Sequence, residues 1–191
     1  MTMGTRALTV YKKNNEIKIA KYSQWDGYPS GLGADLLAAF KDLGKDAISK
    51  CVDRATMIDF EGKDKEFIDK VNSTEDWPSI YPLLSRDTNG ASILKYLNNP
   101  DYGHYGMKFD LDFASDSLFC EWCYVIDFDS NTLEVYKGFN CEPLAEGERF
   151  YLKDDEGYQS GGGGIYYPVK LYMTYDLDDL PAEIPEPSEE D

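Results

Sequence analysis

A single histidine, His104, limits the chemistry open to this chain. A metal site built from several histidines is excluded, and any Ser–His or Cys–His mechanism would have to use that one imidazole. Cys120 and Cys123 form a C-x-x-C pair. A redox or zinc role needs a turn or helix N-terminus that brings both sulfurs to one side. Residues 118–126 instead read as a strand, where positions three apart face opposite sides, so buried structural cysteines are expected. Two carboxylate pairs, Asp110/Asp112 and Asp127/Asp129, stand at i and i+2, on one face of a strand or at its end. Such oxygens could hold Ca²⁺ or Mg²⁺, or one carboxyl could act as a general acid; the plainer reading of residues 127–131 is a polar hairpin connection. Gly31-Leu32-Gly33 ahead of a helix has part of a phosphate-loop outline, but lacks the third glycine of a dinucleotide motif and the Gly-Lys-Ser/Thr ending of a P-loop. Thr5-Arg6 before a hairpin has the outline of an N-terminal nucleophile, a mechanism that needs no histidine. Thr5 is internal, so that role would require removal of residues 1–4.

The elements that must position these residues follow from periodicity. Residues 7–11 are apolar and β-prone, residues 12–15 form a polar turn, and residues 16–22 alternate, which predicts a β-hairpin. In its second strand Ile17 and Ile19 are expected to point one way, with Lys18 and Lys21 toward solvent. Leu36, Leu37, Phe40 and Leu43 predict a helix over residues 34–43, stopped by Gly44. Residues 47–53 fit a short helix or a strand equally. Further helices are expected over residues 63–71 and 91–97, with Pro82 interrupting any continuation after Pro78. Strands return in the last third. Residues 107–113 alternate strictly, residues 118–126 read as a central strand paired with 132–136, and residues 165–175 read as a strand that Pro168 pushes to an edge.

The chain has 191 residues, with 36 Asp plus Glu against 19 Lys plus Arg and a formal charge of −17. By size it should bury about 70 % of its unfolded surface, enough for one core. The charge argues against direct nucleic-acid binding and against an anionic membrane surface. No run of 18 apolar residues is present, and the start lacks the apolar segment of a signal peptide. The four cysteines fit a reducing cytosol. Residues 1–180 are expected to form one α+β domain, a mainly antiparallel sheet of about five to seven strands with the middle-third helices on one face. Residues 181–191 read as an acidic, disordered tail. Tyr151, Tyr158, Tyr166, Tyr167, Tyr172 and Tyr175 around a Gly-rich loop could mark a recognition surface.

Gly4-Thr5-Arg6, the phrase Tyr22-Ser23-Gln24-Trp25-Asp26-Gly27-Tyr28-Pro29-Ser30-Gly31-Leu32-Gly33, and the later Glu121-Trp122-Cys123-Tyr124-Val125-Ile126-Asp127-Phe128-Asp129 together carry a resemblance. They resemble an uncharacterised family found in tailed phages, bacteria and filamentous fungi. That resemblance brings no known chemistry. It singles out Arg6, Gln24, Trp25, Asp26 and Tyr28 as candidate ligand- or partner-binding residues, joined by Asp127 and Asp129. Trp25 and Tyr28 are expected to plug the end of the sheet.

With the charge, this leads to a first expectation: a non-enzymatic, phage-encoded interaction protein acting in the host cytoplasm. It would dock an acidic face on a basic host protein such as a nucleic-acid-binding defence nuclease, in the manner of an anti-CRISPR or DNA mimic. No cofactor and no metal is expected. The alternative is an N-terminal-nucleophile-like amide hydrolase, with Thr5 as nucleophile, or a small-ligand-binding domain using Arg6, Asp26 and Tyr28.

Overall fold

A computed structural model describes residues 4–187. Two strands open the chain, β1 (Ala7–Lys13) and β2 (Glu16–Ser23). Between them Asn14 and Asn15 both take positive φ, 57° and 58°. That backbone matches the right-handed twist of the flanking strands, and Asn tolerates it. Helices α1 (Ala34–Leu43) and α2 (Lys45–Cys51) follow, separated by Gly44 at φ 80°. Residues 47–53 are thus helical, ending in a 3-10 turn over Val52–Arg54. Then come β3 (Thr56–Met57), α3 (Lys65–Asn72), the short α4 (Trp77–Ile80) and α5 (Ile93–Leu97). Pro82 opens a 3-10 turn after α4, so it ends that helix as expected. Strands β4 (Gly106–Met107), β5 (Trp122–Asp127), β6 (Thr132–Lys137), β7 (Tyr158–Gln159), β8 (Ile165–Tyr166) and β9 (Lys170–Asp176) complete the chain.

The main sheet has five strands in the order β2-β1-β5-β6-β9. Only the β1–β5 pair is parallel; the other three are antiparallel. The fold is therefore α+β with a mostly antiparallel sheet. Every residue of β5 is buried, which fits its dense apolar run and central place. Alternation splits the core in two. Tyr11, Trp122, Tyr124, Ile126, Leu133 and Val135 face α1, α2 and α5, packing on Leu36, Phe40, Ile48, Ile93 and Leu97. Leu8, Val10, Cys123, Val125 and Tyr136 face the other way.

Among the described residues no α-helix packs on that second cluster. The segment over residues 107–113 is not a strand beyond Met107; it passes into a 3-10 turn over Leu111–Ser115. Phe109, Leu111 and Phe113 nevertheless all pack on the second cluster. Their alternation recorded which side is buried, and the segment serves as a cover rather than a rung. The Asp110 N–H donates to Ala20 O and so closes part of the outer edge of β2.

Three other expectations give way. A bulge in the hairpin sets Lys12 opposite Ile17 but Tyr11 opposite Ile19, leaving Lys18 as the extra residue. Ile17 and Ile19 therefore pack in different clusters; Lys21, two residues past Ile19 on the same side, is buried at 4 % exposure. Cys120 lies in a turn before β5, its N–H bonded to Asp116 O, so it shares the second cluster with Cys123 instead of facing away. Both are free and buried, and burial pushes both thiols up, Cys120 with an added push from Cys123. Protonated thiols are poor nucleophiles. The chain also packs beyond residue 180. Ile184 is buried in the helix-side core, and Ser30 donates to Glu186. The rest of the expected tail, residues 188–191, lies outside the described residues.

Candidate functional site

The loop from Ser23 into α1 is held by backbone at both ends. The Gly27 N–H donates to Thr5 O at 2.9 Å, and Tyr124 Oη, buried, donates to Gly27 O at 2.9 Å. Asp26 sits at φ 52°, and its carbonyl accepts the Leu32 N–H at 2.7 Å. A Cβ on Gly31 would fall 2.3 Å from Asp26 O, so only glycine allows that approach. Leu32, fully buried, is the apolar anchor of this loop.

Trp25 does not plug the sheet, because its ring is 47 % exposed. It lies against Gly4, where a Cβ would come within 2.2 Å of the ring, and its indole N–H donates to Asp87 Oδ1 at 2.8 Å. The Gln24 N–H donates to Arg86 O, while its side-chain oxygen accepts the Tyr22 hydroxyl. Tyr11 Oη donates to Gly90 O at 2.7 Å and Lys21 Nζ to Ser85 O at 2.7 Å. These contacts clamp residues 85–90 over the helix-side face of the hairpin. Trp25→Ala should thus cost about 1–2 kcal/mol, well below the 3–5 kcal/mol of a fully buried aromatic. A urea titration reads this directly, and a loss above 3 kcal/mol would mean that the ring is a core element.

Arg6 and Asp26 do not meet. Arg6 pairs with Glu121 at 3.5 Å and its guanidinium carbon sits 4.8 Å from the Phe119 ring centre. Asp26 instead accepts from Tyr28 Oη at 3.2 Å and pushes that phenol up. Among the described residues no hydrogen bond or ion pair joins Arg6 to Gln24, Asp26 or Tyr28. Thr5 stands just before β1 and contributes its carbonyl to the loop. His104 lies between rings, 5.1 Å from Tyr81 and 5.8 Å from Tyr102, and among the described residues hydrogen-bonds no Ser or Cys.

Asp127 and Asp129 are brought together at the hairpin tips. Asp127, 2 % exposed, accepts from Lys12 Nζ at 3.0 Å and from Arg149 Nη2 at 2.8 Å. The Asp129 and Ser130 N–H groups also donate to it. Burial alone would raise its pKa, but Arg149, Lys12 and those two N–H groups outweigh burial and hold the carboxyl at about 2. Asp129 accepts the Asn14 and Asn15 N–H groups at 2.7 and 2.8 Å, tying one hairpin turn to the other. Arg149 continues to Glu134 at 2.6 Å, and Tyr136 Oη donates to Glu134 at 2.6 Å. Every charge in this chain of contacts has a partner, so it is a structural tie. Among the described residues no three His, Cys, Asp or Glu side chains converge to hold a metal ion.

The excursion between β6 and β9 differs from the rest of the surface. Tyr151, Leu152, Tyr158 and Ile165 are 37 to 49 % exposed. Tyr151, Leu152, Asp154, Asp155 and Tyr167 share a cleft of about 170 Å³. The β7–β8 hairpin closes over Gly163 at φ 88° and sets Tyr158 opposite Tyr166. Glu146, Asp154 and Glu156 are exposed nearby. Of the local cations, Arg149 pairs with Asp127 and Glu134 and Lys170 with Glu142, while exposed Lys153 makes no ion pair among the described residues. Tyr172 and Tyr175 are not part of this surface. Tyr172 packs edge-on to Trp122 at 5.9 Å, and Tyr175 packs on the helix-side core. Comparison with protein-family models, curated proteins and solved structures gives no match. No helix among the described residues is long and apolar enough to cross a membrane.

Proposed function

We propose that this chain is a non-enzymatic interaction protein that docks the excursion bearing Tyr151, Leu152, Tyr158 and Ile165 onto a basic protein. What carries the reading is one segment: Tyr151, Leu152, Tyr158 and Ile165 are exposed along the excursion that also bears Asp154 and Glu156, with Tyr158 and Ile165 on the two sides of the β7–β8 hairpin; of its cations Arg149 is taken up by internal ion pairs and Lys153 is exposed. Tyrosines supply contact area at low entropic cost, and surrounding carboxylates steer a positive partner and reject acidic ones. The formal charge of −17 extends that steering over the whole molecule. Nucleic-acid-binding proteins are the partner class whose basic clefts can enclose both sides of such an excursion, and a phage-borne inhibitor of a defence nuclease is the specific form of this proposal.

The test compares the native chain with an Asp154→Asn, Asp155→Asn, Glu156→Gln variant in affinity capture over about 50 to 500 mM salt. A basic protein should be retained by the native chain, fade steeply as salt rises, and be lost with the variant at unchanged melting temperature. Capture that is insensitive to salt and to the three substitutions would contradict the reading.

A further inference from the structure

A groove of about 390 Å³ runs beside β2, lined by Lys21, Tyr22, Leu84, Arg86, Lys108, Asp110 and Phe113. That volume suits a small molecule. In a chain with nearly twice as many acids as bases, three of its seven lining residues are cationic. We infer that this groove binds a small anion carrying an apolar ring. The site is distinct from the docking face and does not depend on it.

Lys21 is the first observation. Its side chain is buried at 4 % exposure, yet its ammonium makes one hydrogen bond among the described residues, to Ser85 O. An ammonium has three donors and no tolerance for burial unpaired. Its neighbours do not supply acceptors. Thr9 lies opposite Lys21 in the hairpin and Ser23 is two residues along the same strand; both keep buried hydroxyl oxygens without a partner. Burial lowers the Lys21 pKa to about 8, with Asp110 and Asp87 opposing that shift and Lys108 adding to it. An anion in the groove supplies the missing compensation.

Arg86 is the second. It is exposed at the mouth and makes no ion pair among the described residues, so its planar fork is open to a carboxylate or phosphate. Lys108 is held by Asp110 at 3.0 Å, and this carboxylate competes with any incoming anion. The third is the wall. Tyr22 and Phe113 meet edge-to-face at 5.0 Å, and Leu84 extends the apolar surface. The Tyr22 hydroxyl is occupied by Gln24, so the phenyl ring is what the wall offers. Cations and ring surface lining one groove call for an aryl carboxylate or aryl phosphate rather than a bare inorganic ion.

Calorimetric titration of the full chain at pH 7 with phenyl phosphate, inorganic phosphate and phenol tests this. Phenyl phosphate should bind saturably at one site, and each of the other two at least about tenfold more weakly. Arg86→Gln should weaken phenyl phosphate about tenfold, since it removes a fork and breaks no ion pair or side-chain hydrogen bond among the described residues. Asp110→Asn should tighten it, because Lys108 is released toward the ligand. Failure of phenyl phosphate to saturate overturns the inference. So do unchanged affinity in Arg86→Gln, weaker binding in Asp110→Asn, or inorganic phosphate binding as tightly as the aryl ester.

Discussion

Replacing Asp127 by alanine should lower stability by about 2–4 kcal/mol. The carboxylate is 2 % exposed and is shared by Lys12 and Arg149, and two backbone N–H groups of the β5–β6 turn end on it. Its loss leaves two cations facing each other across a vacated site. Both are about a quarter exposed or less, 21 % for Lys12 and 25 % for Arg149, so water recovers part of the cost. The sign with pH follows from the direction of the shift. Asp127 titrates at about 2 in the folded chain and near 3.8 when unperturbed. Its contribution is therefore present above pH 4 and lost as pH falls toward 2. Denaturant titrations at pH 7 and pH 2.5 should show a large gap between wild type and Asp127→Ala at the first and a smaller one at the second. An equal gap at both would mean that the ion pairs contribute nothing and that only the turn matters.

Lys21→Met should stabilise the protein by about 1–3 kcal/mol at pH 7. Methionine keeps the length and flexibility of the stem and removes a buried charge; the loss of the Ser85 O hydrogen bond offsets about 1 kcal/mol of that gain. Here the folded-state pKa is depressed, to about 8 from 10.5. Between those values the unfolded chain holds a proton that the folded chain has released, so wild-type stability gains from this group as pH rises and loses it as pH falls through 8. Buried thiols work in the opposite direction above pH 9, since Cys51, Cys120 and Cys123 are all pushed up by burial. The difference between wild type and Lys21→Met cancels them. It should be largest at pH 7 and shrink by pH 9.5. A destabilised Lys21→Met at pH 7 would show that the ammonium is better compensated than its single hydrogen bond implies.

These two residues mark where sequence patterning succeeds and where it stops. Asp127 to Asn131 reads locally as a polar turn, and it is one, with Asn131 at φ 61°. The Asn14-Asn15 turn, the buried run of β5 and the helical stripe of α1 are local in the same sense, and all appear where expected. The bulge at Lys18 hid the side of Ile17, because a one-residue insertion exchanges faces across it; Lys21 follows Ile19 by plain alternation and was misread because a strand lysine reads as solvent-facing. Arg149 was missed for another reason. It comes from an irregular segment 22 residues past Asp127, and no spacing rule links the two. Trp25 was misplaced because a large aromatic in a Gly-rich loop looks like a plug, whereas Leu32 takes that role. Cys120 shows the converse risk: the strand argument fails as the strand starts two residues later, yet the thiol is still buried.

The most direct measurement of the proposed docking face is a hydroxyl-radical footprint of the native chain, alone and with its captured partner. Tyr151, Leu152, Tyr158 and Ile165 are exposed in the free chain and should all lose reactivity in the complex. Trp25 and Met57, equally exposed but on other segments, should not change. Protection confined to Trp25 or Met57, with the four residues of the 151–165 segment still fully reactive, would contradict the account.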